Sequence, residues 1–145
     1  MSAKDDKLNQ FVSAMVGLAG AIKSESELCC EICGEINEKE LAILGFVGDH
    51  KSAKMREIAD YLNAPLSTLT SIADKLVALK FLVRFNSDED RRVVKVALGE
   101  KGMESYKAFL TRRKAMTKKV LSKFTDNEQN TLINYINKLA AAMVS

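Results

Sequence analysis

Three cysteines within five residues, Cys29, Cys30 and Cys33, are the only thiols in this 145-residue sequence. Thiolates can be oxidised to sulfenates and disulfides, and they also bind soft metal or metalloid ions. On a continuous helix, spacings of three and four residues bring Cys33 onto one face with each of the other two. Several glutamates in the same stretch oppose thiolate formation. Three hypotheses therefore stay open for the cluster: packing thiols, an oxidant sensor, or a metal or metalloid sensor.

Residue types that support catalysis are scarce. The chain has one histidine, His50, and shows neither a glycine-rich phosphate loop nor a nucleophile elbow. A closed zinc site or an iron–sulfur cluster needs a fourth ligand, which the sequence does not place beside the cysteines. We therefore expect a binding protein and not an enzyme, with no cofactor and no catalytic metal ion. A net charge of +3 is compatible with a polyanionic partner but does not by itself require one.

A second cluster gathers opposite charges in the segment SDEDRRVVKVAL, residues 87–98. Alternating apolar residues follow the charges, which is the pattern of a turn leading into a β-strand. Exposed ion pairs contribute only about 0–1 kcal/mol to stability, so folding alone is a weak reason for so many charges. The charged residues are Asp88, Glu89, Asp90, Arg91, Arg92 and Lys95.

Apolar residues at three- and four-residue steps predict a mainly helical chain around these clusters. The pairs Asn37/Glu40 and Thr125/Glu128 have the spacing of capping boxes, so each pair predicts the start of a helix. Two short helices joined by about three residues have the outline of a helix-turn-helix. The predicted order is helices at 8–28, 37–50, 55–62 and 66–79, a connector at 50–54, a two-stranded hairpin with its tip at 86–92, and two helices between 99 and 143.

The segment from MREIADYL to GEKG, residues 55–102, resembles the winged helix-turn-helix of the MarR family of bacterial and archaeal transcription regulators. The most specific match is the acid-x-acid-Arg-Arg pattern of the wing, formed here by Asp88, Asp90, Arg91 and Arg92. The order of helices extends the resemblance over the whole chain. The family match implies a mainly α fold with a small β-hairpin wing.

The resemblance also implies a single domain over residues 1–145. Within it, residues 36–100 are expected to form the winged helix-turn-helix lobe. The flanking segments, 1–35 and 101–145, are expected to form a helical dimerisation region.

Three positions depart from the family pattern. Pro65 opens the second helix of the helix-turn-helix where Ser or Thr is common. Lys80 precedes the first wing strand where Gly is common, and Gly99 follows the second wing strand where Thr is common. Each substitution puts the local backbone geometry in question, and none removes a DNA-contacting residue type.

The function that the resemblance implies is sequence-specific DNA binding by a transcription regulator. We expect a homodimeric repressor that binds double-stranded DNA at a palindromic operator and is released by a small-molecule effector or an oxidant. The alternative is a dimeric winged-helix protein-interaction module whose DNA binding is weak or lost. The sequence contains no run of eighteen apolar residues and no leader peptide, so we expect a cytoplasmic protein without a membrane partner.

The resemblance assigns DNA contacts to the second helix of the helix-turn-helix and to the wing. Short hydroxyl side chains on that helix are expected to contact bases or phosphates, with Arg56 and Lys75 on phosphates. At the wing tip, Asp90 is expected to hold Arg92 extended towards the minor groove by a charge-assisted pair. The full set of expected DNA-binding residues is Arg56, Ser67, Thr68, Thr70, Ser71, Lys75, Asp90, Arg91, Arg92 and Lys95.

Overall fold

The computed structural model describes residues 2–144, with the exception of the side chains of residues 31–33. Helices account for most of this range, and a small antiparallel sheet accounts for the wing, which confirms the predicted mainly α fold with a winged helix-turn-helix. The elements are α1 (Ala3–Cys33), α2 (Glu38–His50), β1 (Ser52–Lys54), α3 (Met55–Leu62), α4 (Leu66–Ala78), β2 (Leu82–Asn86), β3 (Val94–Leu98), α5 (Glu100–Leu121) and α6 (Asp126–Val144).

Local capping interactions define where three of the helices begin. At the start of α2, the Glu40 backbone N–H donates to Asn37 Oδ1 over 2.9 Å, and the Asn37 N–H donates to Glu40 Oε1 over 3.2 Å. The Thr125 N–H donates to Glu128 Oε1 over 2.9 Å before α6, and the reciprocal bond is 3.3 Å. Both predicted capping boxes are therefore confirmed. Helix α1 is longer than the predicted range of 8–28 at both ends. A further capping box at Ser2 starts it earlier, and it continues to Cys33.

The sheet contains a third strand where the sequence predicts only a connector. Strand β1 pairs antiparallel with β3, so that Ala53 lies opposite Val96, and the strand order is β1-β3-β2. The prediction of a plain connector at residues 50–54, and of only two strands in the sheet, is wrong. Three residues of the type Ser-Ala-Lys carry little intrinsic strand preference, and their pairing with β3 is a tertiary interaction.

The hydrophobic core lies where α2, α3, α4 and the sheet meet. The apolar stripes predicted for α2, α3 and α4 form this core, which orients the outer face of α4 towards solvent, whereas those predicted for α1 and α6 stay largely exposed. Within residues 2–144, no helix has both the length and the apolar character needed to cross a membrane. Among the described side chains, the largest that are fully buried are Ile43, Leu44, Val47, Ile58, Leu69, Leu76, Leu82 and Val96.

Two of the departures from the family pattern meet at the turn between α4 and β2. Lys80 has φ 67°, a left-handed conformation that favours glycine. The carbonyl groups of Lys80 and Phe81 then lie against the start of α5, where a Cβ atom on Gly99 would be 2.5 Å from the Lys80 oxygen. A Cβ atom on Gly102 would clash with the Phe81 carbonyl oxygen. Glycine at 99 and 102 therefore lets the turn before β2 and the start of α5 approach closely.

The chain divides into two compact units, one that extends to Phe109 and one that begins at Leu110. The first unit contains the core, the helix-turn-helix and the wing. The second contains the end of α5 and all of α6, which has no buried residue within its described range.

Replacing Lys80 with glycine is expected to stabilise the protein, because the left-handed conformation costs a lysine about 1–2 kcal/mol more than a glycine. Part of this gain is offset by the greater freedom of glycine in the unfolded chain. Urea denaturation of Lys80→Gly should therefore show a free energy of unfolding that is higher by about 0.5–1 kcal/mol. The control Lys114→Gly, inside α5, should instead be destabilised by about 1 kcal/mol. A destabilised Lys80→Gly would contradict the strain argument.

Candidate nucleic-acid interface

Helix α4 presents a polar face and an open N-terminus. The turn after α3 places Asn63 at φ 50°, and Pro65 then occupies the N-cap position of α4 without a side-chain hydrogen bond to the helix. Leu69, Ala73 and Leu76 are buried, so the helix exposes the stripe of hydroxyl residues between them. The uncapped N–H groups of the first turn suit an anion such as a phosphate.

The four hydroxyl residues of α4 differ in the hydrogen bonds they make. The Thr70 hydroxyl donates to the Leu66 carbonyl oxygen over 2.8 Å, and the Ser71 hydroxyl donates to the Ser67 carbonyl oxygen over 3.3 Å. Their oxygen atoms consequently act towards a ligand as acceptors, which suits the amino groups of adenine and cytosine. Ser67 and Thr68 are exposed in the first turn, where the helix N-terminus lies. The DNA contacts of all four stay predictions.

Lys75 joins α4 to the start of α2. Its Nζ lies 3.0 Å from Oε1 of Glu40, whose side chain is only 3% exposed while that of Lys75 is 53% exposed. Glu40 Oε1 also accepts the Asn37 N–H of the capping box, whereas its buried Oε2 has no hydrogen-bond partner among the described residues. Because a buried carboxylate is costly unless it is paired, Glu40 restrains the Lys75 side chain. The predicted phosphate contact of Lys75 would have to form beside this ion pair.

Asp74, the neighbour of Lys75, joins α4 to the wing. Its Oδ1 accepts a hydrogen bond from Arg84 Nη2 of β2 over 2.6 Å. Both side chains are partly exposed, so the pair contributes little to stability, about 0–1 kcal/mol. Its consequence is geometric, because it holds the first wing strand at a fixed position beside α4. Neither Arg84 nor Glu40 is among the interface residues that the sequence predicts.

At the wing tip, the predicted Asp90–Arg92 pair is present. Asp90 Oδ1 accepts hydrogen bonds from the Arg92 backbone N–H over 3.1 Å and from Nε over 3.2 Å, and Oδ2 accepts one from Nη2 over 3.3 Å. The side-chain and backbone hydrogen bonds from Arg92 lower the pKa of Asp90 below its ordinary value of 3.8. The carboxylate therefore stays ionised at neutral pH, and the Arg92 side chain, 91% exposed, is held at the tip.

Backbone hydrogen bonds order the rest of the tip. The Ser87 N–H donates to the Val93 carbonyl oxygen and the Val93 N–H to the Asp90 carbonyl oxygen, both over 2.9 Å. The Asn86 side-chain amide donates to the Arg91 carbonyl oxygen, and the Ser87 hydroxyl accepts the Glu89 N–H over 3.3 Å. Ser87 is buried and is not among the residues that the sequence predicts for the site. The Asn-Ser-Asp composition of residues 86–88 is typical of turns, and it is the sequence signal that could have indicated a structural role for Ser87.

A groove of about 590 Å³ lies between the first turns of α3 and α4 and the wing. It brings together predicted DNA-binding residues from three separate segments, namely Arg56, Thr70 and Arg92. Arg91 and Lys95 do not line it. Lys95 lies on β3 opposite Lys54 and Phe85, and its phosphate contact stays a prediction. The groove is lined by the basic residues Lys54, Arg56, Arg84 and Arg92, by the apolar residues Met55, Leu66, Val93 and Val94, and by Thr70.

Cys29 and Cys30 do not line this groove. Cys29 is 7% exposed and belongs to the hydrophobic core, Cys30 is half-buried, and the Cys33 side chain lies outside the described residues. Among the described side chains, no group of three or more His, Cys, Asp or Glu residues lies close enough to hold a metal ion. The burial of Cys29 restricts the access of oxidants to its sulfur and favours a packing role. Oxidant or metal sensing by the cluster stays a prediction.

Comparison with known proteins gives consistent matches in sequence. The model of the MarR family matches residues 36–94. The HTH-type transcriptional regulator YpoP of Bacillus subtilis is 30% identical over 105 residues, which cover 72% of this chain and 74% of that protein. The HTH-type transcriptional repressor MdtR of the same organism is 28% identical over 142 residues, which cover 98% of this chain and 91% of that protein.

Solved structures match over nearly the whole chain. The YusO protein of Bacillus subtilis is 28% identical with a TM-score of 0.65, and the match covers 98% of this chain and 99% of that one. FabT of Streptococcus pneumoniae, solved in complex with DNA, is 20% identical with a TM-score of 0.76, and the match covers 95% of this chain and 96% of that one. The FabT match shows a shared fold.

The hydrogen bonds between Asp90 and Arg92 predict that the Asp90 carboxyl titrates below 3.8. Because this pKa is lowered in the folded state, the stabilisation from the pair is present above the ordinary pKa and is lost as the pH falls through the folded-state value. Replacing Arg92 with Gln should raise the pKa of Asp90 towards its ordinary value. The carbon chemical shift of the Asp90 carboxyl group, followed by NMR against pH, measures this.

The matched control is Arg91→Gln, which removes the neighbouring charge but keeps the Arg92 hydrogen bonds. It should shift the Asp90 titration less than Arg92→Gln does. Equal shifts in the two variants would show that general electrostatics, and not this pair, governs Asp90.

Proposed function

Because the chain belongs to the MarR family of transcription regulators, we propose that it is a homodimeric repressor that binds a palindromic DNA operator through α4 and the wing. The observation that carries the proposal is the groove beside α4, where four basic side chains from three segments converge next to the open helix N-terminus. Converging cations of this kind suit the phosphates on either side of a DNA groove. Because such a repressor acts on DNA, we propose that it works in the cytoplasm.

Each part of the surface has a distinct role in the proposed complex. The N-terminal half of α4 enters the major groove, where its hydroxyl groups meet base edges. Arg92, extended at the wing tip by Asp90, reaches the adjacent minor groove. Arg56 and Arg91 neutralise phosphates, and Lys75 and Lys95 do so from α4 and β3. The ion pair between Asp74 and Arg84 fixes the distance between the two reading elements.

A second copy of the chain is proposed because large apolar side chains remain exposed outside the lobe. On α1, Phe11 and Ile22 are among seven exposed large apolar residues, and on α6, Ile133 and Ile136 lie three residues apart on the surface. Helical faces of this kind are typical of surfaces that pack against another helix. Two copies would present their α4 helices to successive major grooves, about 34 Å apart, which requires a palindromic site.

Repression follows from the proposed geometry, since a dimer bound across a promoter excludes RNA polymerase without an activating surface. The relative MdtR, which matches nearly the whole chain, is named a repressor. We propose that a small molecule or an oxidant releases the DNA. The burial of Cys29 favours the small molecule, and DNA affinity measured before and after mild peroxide distinguishes the two signals.

Removing the Arg92 guanidinium is expected to weaken DNA binding and its dependence on salt. The probe is duplex DNA from upstream of the gene that encodes this protein, and fluorescence anisotropy measures the affinity at several salt concentrations. Loss of one phosphate-neutralising contact should reduce the slope of log K against log salt by about 0.9 per protomer. The control Lys138→Ala removes one exposed charge from α6 and should bind like the parent.

Binding by Arg92→Ala that equals the parent at every salt concentration would show that the wing does not contact DNA. If the parent protein itself prefers no duplex, a dimeric protein-interaction module becomes the better description.

The dimer can be tested by placing a charge on either exposed apolar face. Phe11→Asp and Ile136→Asp should each shift the protein from dimer towards monomer in sedimentation velocity, because burying an unpaired carboxylate at an interface is costly. Tyr61→Asp, in the winged-helix lobe, changes an equally exposed aromatic residue and should leave the dimer intact. A parent protein that sediments as a monomer, or variants that remain dimeric, would contradict the proposed interface.

A further inference from the structure

Leu66 is an exposed apolar residue at the position of α4 from which DNA is read. It is the first residue of the helix and is 43% exposed, although it lies in phase with the buried residues Leu69 and Ala73. The core therefore does not cover it, in spite of its position on the apolar stripe. A single exposed leucine is common on protein surfaces and has no meaning by itself. Its surroundings supply the second observation.

Leu66 lines the groove beside α4 together with Met55, Val93 and Val94. This apolar strip shares the groove with the four basic side chains that also line it. A groove of this mixed composition suits a ligand that presents both hydrocarbon and negative charge. The major groove of DNA has this arrangement wherever a thymine methyl group lies between the two phosphate backbones.

Thr70, one helical turn beyond Leu66, extends the apolar strip. Its hydroxyl donates to the Leu66 carbonyl oxygen over 2.8 Å, so the hydroxyl hydrogen is already engaged within the helix. The other substituent on its Cβ atom is a methyl group, and Thr70 is exposed and lines the groove. Leu66 and Thr70 together therefore present hydrocarbon at two successive turns of the exposed helix.

We infer that Leu66, supported by the Thr70 methyl group, determines operator specificity by contacting the 5-methyl group of a thymine in each half-site. Thymine is the only one of the four bases whose major-groove edge carries a methyl group, so an apolar contact distinguishes it from the others. The inference rests on the proposed DNA-binding function and names one base that the operator must contain.

The test removes the methyl group from the DNA and the side chain from the protein. The full-length protein first selects duplexes from a random DNA library, and each thymine of the enriched duplex is then replaced by 2′-deoxyuridine. The replacement keeps Watson–Crick pairing and deletes only the methyl group. At one position in each half-site, the parent protein should lose about fourfold in affinity, which corresponds to one buried methyl group.

The variant Leu66→Ala should bind the thymine and uracil duplexes with equal affinity at that position. Leu66→Met keeps the apolar bulk and should retain the preference for thymine. The melting temperature of each variant separates an effect on specificity from a folding defect. The matched control is Val83→Ala, which shortens another exposed apolar side chain, in β2 directly before Arg84, that does not line the groove. It should keep the full preference for thymine.

The outcomes separate this inference from the proposed function. If no uracil replacement weakens binding by the parent, or if Leu66→Ala keeps the full preference, the role of Leu66 is wrong while selected DNA binding still supports the proposed function. If the library yields no enriched duplex, the proposed function fails and the inference fails with it.

Discussion

One buried carboxylate adds a polar link to the apolar packing that positions α4. Glu40 uses the same oxygen to accept the Asn37 N–H at the start of α2 and the Lys75 ammonium group of α4. Since the dry surroundings of Glu40 make an unpaired charge there costly, the arrangement in which Lys75 lies against it is strongly favoured. The helix that carries the candidate DNA-reading face is thereby joined to the helix that anchors the core.

Exposed ion pairs position the wing, and they act by fixing geometry more than by adding stability. Asp74 and Arg84 connect the wing to α4, and Asp90 and Arg92 hold a guanidinium group at the tip. Exposed pairs add little to stability, yet each restricts a long side chain to a narrow range of positions. A surface in which the cations are already oriented loses less entropy when it meets phosphates, and this favours binding. The acids near the tip thus support a basic surface instead of cancelling it.

The two compact units differ in what they bury. The winged-helix lobe has a continuous core, whereas the α6 residues described here are all at least partly exposed. A chain with long, unburied apolar helical faces gains stability from association, because association removes that surface from water. In the proposed dimer, the association that stabilises these helices also sets the spacing of two DNA-reading lobes. Stability and recognition of a palindrome would then have the same physical origin.

The sequence by itself determined the features that depend on neighbours along the chain. Capping boxes, apolar stripes and the Asp90–Arg92 pair involve residues two to four positions apart, so their spacing is visible without a structure. Only the tertiary structure decided that residues 52–54 form a strand, that Glu40 pairs with Lys75, and that Arg84 pairs with Asp74. It also decided that Leu66 stays exposed. These features depend on which segments of the chain meet in space. The spacing of apolar residues along a helix does not specify which segments meet.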